Sequence, residues 1–205
     1  MVELDLKVFP SGPLAANNYL IFNRQSKKAF IVDLSSSSGP LFNFLKEENI
    51  KVDFVLLTHA HFDHIGGLRG SEFPYYLHQQ DRDLVSDPEK NGSFYHLADS
   101  IKIDREPNIY KKELYFYKSK ITVIHTPGHT PGSVSLKLNN WLFSGDTLFH
   151  QTIGRTDIPL ASGELILKSI KEKILVLPDD TVVYPGHGPS TTLLREKETN
   201  PFLAG

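Results

Sequence analysis

Four side chains able to bind a divalent metal, His59, His61, Asp63 and His64, fall within six residues of the stretch Thr58-His59-Ala60-His61-Phe62-Asp63-His64. No packing need explains that density, and imidazole with carboxylate is a strong metal-binding combination. Four apolar residues, Phe54, Val55, Leu56 and Leu57, lead into the stretch and read as a buried strand. Ile65-Gly66-Gly67-Leu68 follows as a tight turn opening a helix. The candidate ligands therefore stand where a strand gives way to a helix. His59 and His61 are two apart and project the same way if the chain stays extended, so one metal can take both. Asp63 and His64 are adjacent, and a turn there aims both at a neighbouring position about 3.5–4 Å from the first, the usual spacing of two-metal sites.

A chain of 205 residues predicts a single α/β domain, residues 1–205, with a substantial core. A hydrophobic content of 40% and a charged content of 22% are those of a water-soluble globular protein. The formal net charge of −2 offers no field suited to nucleic acid. The absence of cysteine excludes disulfides, thiolate metal sites and a cysteine nucleophile together. Glu3 and Asp5 stand where a signal peptide needs basic and apolar residues, and no apolar run is long enough for a membrane span, so a cytoplasmic location is the expectation.

In chain order, residues 4–9, 18–22 and 29–34 read as strands joined by tight turns, and a helix over 40–48 starts on Pro40 and turns Leu41, Phe44 and Leu45 to one side. Beyond the ligand stretch come a short strand over 75–77 and a polar helix over 79–85. Residues 87–100, with Phe94 and Tyr95 beside Gly92, read as an aromatic flap or pocket wall. Strands resume at 114–117, 121–125 and 133–138, and Asn139-Asn140 turns the last of these into 141–144. A long loop over 146–160 precedes a helix over 163–176 with Ser162 as cap and Leu165, Ile166, Ile170 and Leu175 as its apolar stripe. A strand over 181–184 and a short helix over 191–197 complete the chain. This order predicts two layers of sheet with helices on the outer faces.

Three further candidate ligands each sit at a strand end beside glycine. His129 lies in the rigid turn Thr126-Pro127-Gly128-His129-Thr130-Pro131-Gly132, Asp146 follows Gly145, and His187 lies between Gly186 and Gly188. A carboxylate in the position of Asp146 has two oxygens with which to bridge two cations. The His-x-His-x-Asp-His stretch, the Gly-His-Thr turn, Gly145-Asp146-Thr147 and Pro185-Gly186-His187-Gly188 together resemble the metallo-β-lactamase-fold hydrolases. Leu148-Phe149 followed by Gly154-Arg155-Thr156-Asp157 is similar to the glyoxalase II-like branch. The resemblance implies an αββα four-layer sandwich with His59, His61 and His129 at one metal, Asp63, His64 and His187 at a second, and Asp146 bridging. It implies a supporting role for Asp33 beside the site; a strand-end Asp that starts a turn fits that position as well. Arg155 and Asp157 read as a pair holding the loop after Asp146. His78, His96, His125 and His150 read as surface or hydrogen-bonded histidines.

Two divalent cations make hydroxide available near pH 7 and polarise a carbonyl, and Asp63 is the candidate for accepting the proton from the bridging water. The sequence accordingly lacks a serine elbow, a phosphate loop and a dinucleotide fingerprint. Zinc is the first expectation for the metal, with iron or manganese suited to the same ligands. The resemblance implies hydrolysis of a small thioester or related acyl substrate. A mononuclear non-haem iron persulfide dioxygenase is the alternative, and a lactonase stands behind it. Glutathione-specific relatives carry a helical C-terminal extension, whereas eighteen residues follow His187, so the expectation is weak recognition of the thiol carrier.

Overall fold

The computed structural model describes residues 3–96 and 100–203. One mixed sheet runs in sequence order through β1 (Asp5–Ser11), β2 (Ala16–Asn23), β3 (Lys28–Val32), β4 (Lys51–Leu56), β5 (Tyr75–Leu77) and β6 (Asn108–Ile109). The first three strands are antiparallel, while β3 to β6 are parallel. The second half contributes β7 (Glu113–Phe116), β8 (Ser119–His125), β9 (Val134–Leu138) and β10 (Trp141–Gly145), then a small hairpin of β11 (Leu148–Phe149) and β12 (Thr152–Ile153), then β13 (Val182–Pro185) and β14 (Thr191–Thr192). Its sheet has the order β14-β13-β10-β9-β8-β7, with β13 parallel to β10 and the other neighbours antiparallel. The helices are α1 (Gly39–Glu47), α2 (Phe62–Ile65), α3 (Ser93–His96), α4 (Gly163–Ser169) and α5 (Leu193–Thr199).

Both faces of the central strands are apolar, and their side chains sort by alternation. In β2 and β3, Leu20, Phe22, Ala29 and Ile31 pack outward with Leu41 and Leu45 of α1, whereas Tyr19, Ile21, Phe30 and Val32 pack inward. The inward set meets Leu136, Leu138 and Phe143 of the second sheet. Leu142 and Val183 point the other way, onto Ile166, Ile170 and Ile174 of the helical segment that starts with α4. Three apolar layers between four layers of structure make this the αββα sandwich.

The structure corrects several local expectations. The helix after the ligand stretch begins at Phe62, with His61 extended at its N-cap (ψ 151°), so Asp63 and His64 lie on the helix itself; residues 66–68 add only a 3₁₀ turn. The acidic Asp63 in the first turn favours this early start. The polar helix over 79–85 is a 3₁₀ segment, Gln79–Leu84. The expected loop over 146–160 contains the β11–β12 hairpin, and β6 and β14, two residues each, had no pattern to announce them. The helix after Ser162 changes to π geometry at Ile170–Ile174, and Ser162 caps it as expected, its hydroxyl accepting from the Leu165 N–H at 3.3 Å. Leu165 itself is exposed; Ile174 takes its place in the apolar stripe. The flap expectation falls partly on residues 97–99, outside the described residues; Phe94 and Tyr95 are exposed on α3. Among the described residues no helix is long and apolar enough to cross a membrane.

Candidate metal centre

The carboxyl ends of β3, β4, β8, β10 and β13 open on one edge of the sandwich, and each delivers polar residues there. Asp33 follows β3, His59 and His61 follow β4, His129 follows β8, Asp146 follows β10, and His187 follows β13. The His129 turn is set by Gly128, whose φ of +146° disfavours an L side chain and whose added Cβ would stand 2.4 Å from Ile166 of α4. The turn therefore lies directly on the outer helix, where Ser169 donates to the carbonyl of Pro127 at 2.8 Å.

All seven candidate residues converge. His59, His61 and His129 form one group and Asp63, His64 and His187 another; within each, the nitrogen or oxygen atoms offered lie within 4.8 Å of one another. His59, His64 and Asp146 form a third such group, which joins the first two. His61 Nδ1 lies 2.8 Å from His129 Nε2, and Asp63 Oδ2 lies 3.1 Å from His187 Nε2. Asp146 stands between the groups, with Oδ1 3.4 Å from His64 Nε2 and Oδ2 3.4 Å from His129 Nε2 and 3.6 Å from His187 Nε2.

Hydrogen bonds on the far side of each ring fix which nitrogen faces the cluster. His64 Nδ1–H donates to Asp33 Oδ2 at 2.9 Å, His129 Nδ1–H to the carbonyl of Arg155 at 3.0 Å, and His187 Nδ1–H to the carbonyl of Leu14 at 3.1 Å. The Thr58 hydroxyl donates to Asp33 Oδ2 at 2.7 Å, so toward His59 Nδ1, 3.1 Å away, it acts as acceptor. Each of these four imidazoles turns its Nε2 inward, toward the other candidate ligands. Asp33, which also accepts from the Thr58 N–H at 2.7 Å, is thus a buried support for two of the rings rather than a simple turn residue.

Burial, with His64 alongside, drives the His59 imidazole well below its usual pKa; burial and then His129 bring His61 down to about 3. Burial opposes protonation of His64, yet Asp63, Asp146 and Asp33 around it raise it well above the ordinary value. Burial likewise opposes ionisation of Asp146, which His64, His129 and His59 nonetheless hold well below the carboxylate range. Neutral imidazoles and ionised carboxylates are the forms that bind metal; His59, His61 and Asp146 already favour them, whereas His64, held between carboxylates, would release its proton to a cation. The fit to a cation is sharpest at two atoms: His59 Nε2 and Asp146 Oδ1 are buried with no hydrogen-bond partner among the described residues. Buried polar atoms left so cost about 1–3 kcal/mol each, which coordination would remove.

Matching the family models, residues 11–187 align with the model described as Metallo-beta-lactamase superfamily. The chain belongs to that superfamily. It is 38% identical over 206 residues to the probable metallo-hydrolase YqgX of Bacillus subtilis (strain 168), covering 96% of each chain. It is 30% identical over 209 residues to the hydroxyacylglutathione hydrolase GloC of Haemophilus influenzae, covering 98% of each. Among solved structures, the BLEG-1 B3 metallo-beta-lactamase superposes with TM-score 0.92 at 41% identity, over 98% of this chain and all of that one. TTHA1623 in a di-iron-bound form superposes with TM-score 0.83 at 32% identity, over 96% and 100%. The chain is accordingly a metallo-hydrolase of this superfamily, whose members bind divalent metals.

The site opens into a cavity of about 330 Å³. Leu14, Phe62, Tyr95, Phe149, Ile158 and Pro159 form its apolar walls, with His61, Asp63, His129, Asp146 and His187 at its inner end. His96 also lines it, stacked on Phe62 with ring centroids 5.5 Å apart, a position the sequence did not reveal. Of the histidines outside the two groups, His125 hydrogen-bonds the carbonyl of Pro131, His78 stacks on His125, and His150 lies 3.4 Å from buried Glu196. Arg155 and Asp157 form the expected two-point pair, at 2.9 and 3.0 Å, exposed at the rim.

Proposed function

We propose that this protein hydrolyses a small thioester or closely related acyl substrate at a two-metal centre held by His59, His61 and His129, by Asp63, His64 and His187, and by Asp146 between them. The observation that carries the reading is the pair of three-ligand groups joined by one carboxylate at the end of a mostly apolar cavity. Divalent cations bound there supply a water acidified to a pKa of about 7 and polarise an acyl carbonyl. The protein's own groups do the rest. The apolar walls exclude bulk water and hold the acyl portion, and Asp63, whose carboxylate faces the cavity, is placed to take up the proton of the attacking water. Among the described residues lining the cavity there is no serine, threonine or cysteine to take the acyl group, which agrees with attack by water. Zinc suits this nitrogen and oxygen set, as do iron and manganese, and the di-iron form of TTHA1623 favours testing iron beside zinc.

The likeness to GloC supports a thioester, and the likeness to BLEG-1 makes a β-lactam the competing acyl substrate. Anaerobic incubation of metal-loaded protein with S-lactoylglutathione is expected to release free thiol. Oxygen uptake on glutathione persulfide, with no thiol from any thioester, would reassign the site to a dioxygenase; turnover confined to a chromogenic cephalosporin would reassign the acyl bond. Because the cavity accommodates an acyl end of modest size, kcat/KM for lactoyl thioesters of glutathione and of a smaller thiol should agree within about tenfold, or about 1.4 kcal/mol. A preference of a thousandfold would show a dedicated glutathione pocket.

A further inference from the structure

Asp81 lies on the 3₁₀ segment after β5 and is fully buried at 0% exposure, yet among the described residues no cationic side chain pairs with it. Its carboxylate is instead satisfied by three donors from two distant segments. Ala60 N–H reaches Oδ2 at 3.1 Å, the Thr130 hydroxyl reaches Oδ2 at 2.7 Å, and Gly132 N–H reaches Oδ1 at 2.6 Å. Ala60 stands between His59 and His61, and Thr130 directly follows His129. One buried carboxylate therefore ties together the two backbone segments that carry all three imidazoles of the first group, and among the described residues its hydrogen bonds reach neither α2 nor the His187 loop.

We propose that Asp81 is a positioning residue specific to the first metal position: by pinning the backbone at residues 60 and 130–132 it sets the separation of His59 and His61 from His129. The second position, Asp63, His64 and His187, is oriented without Asp81, through the carbonyl of Leu14 and through Asp33, which reaches the first position only at His59 by way of Thr58. An asparagine at 81 has the right size but only one acceptor oxygen. Placed at Oδ2 it turns its NH₂ toward Gly132 N–H, and placed at Oδ1 it turns its NH₂ toward Ala60 N–H; either way two donors face each other.

The inference rests on the metal-centre reading, which the parent variants of the test examine by themselves. His187→Ala leaves the first group whole and His61→Ala leaves the second, and zinc affinity in each is measured by competition with a chromogenic chelator. Adding Asp81→Asn should weaken zinc binding about tenfold or more in the His187→Ala background and by less than about twofold in the His61→Ala background, matching the scale of losses beyond the direct ligands. Equal losses in both backgrounds would mean a general structural role, and no loss in the first would mean none at all; either overturns the proposal. Should Asp81→Asn not fold, Thr130→Val carries the same comparison with a smaller loss, about threefold, again confined to the first position.

Discussion

Asp146→Ala is expected to lower kcat/KM for thioester hydrolysis by about a thousandfold or more, a transition-state loss of at least ~4 kcal/mol. Among the described residues Asp146 is the one whose two oxygens approach members of both groups, His64 on one side and His129 and His187 on the other. With two cations bound as proposed, its removal would take a ligand from each position and also the negative charge that offsets their repulsion. Asp146→Asn separates the two effects, since it keeps the volume while losing the charge, and it should retain little more activity than the alanine variant. Steady-state rates with each protein reconstituted in excess metal decide the matter; a variant within tenfold of the parent would remove Asp146 from the centre.

The second large effect is expected at a residue with no side chain. A Cβ added at Gly186 would stand 2.0 Å from Asp146 Oδ1 and 2.8 Å from His64 Cε1. Asp146 would have to leave its position, because the backbone of residue 186 is held on both sides, its N–H donating to Gly145 at 2.9 Å and its carbonyl accepting from Asn17 N–H at 2.7 Å. Gly186→Ala should therefore lose activity about a hundredfold or more with a native-like circular dichroism spectrum, since the clash lies in the site and not in the core. Activity near that of the parent would show that the site has room the geometry denies.

The seven residues that converge at this edge were legible as candidate ligands because their chemistry is dense: four within six residues, then three more each marked by glycine at a strand end. The two-sheet order was legible from apolar runs between turn signals, since β2, β3 and β4 are buried on both faces. What the sequence hid follows from range and scale. Asp33 looked like any strand-end aspartate until the fold brought His64, thirty-one positions away, within 2.9 Å. Asp81 sits in Gln79-Gln80-Asp81-Arg82-Asp83, where nothing local separates a buried carboxylate from solvated neighbours; only the approach of residues 60 and 130–132 distinguishes it. Strands of two residues such as β11 and β12 are too short to show alternation. Leu165 matched a helical stripe, but the core side is the i, i+4, i+8 row Ile166, Ile170 and Ile174, which leaves Leu165, one position around the helix from Ile166, exposed.

Both variants, and Asp81 with them, presuppose that this edge of the sandwich holds two cations. Elemental analysis of the purified protein after equilibration with zinc or ferrous iron and removal of free metal measures that directly, when the same determination is made on His187→Ala. The geometry predicts about two metal ions per chain in the parent and about one in the variant, because His187 belongs to only one of the two groups. One ion per chain in the parent, unchanged when His187 is removed, would contradict the two-metal account.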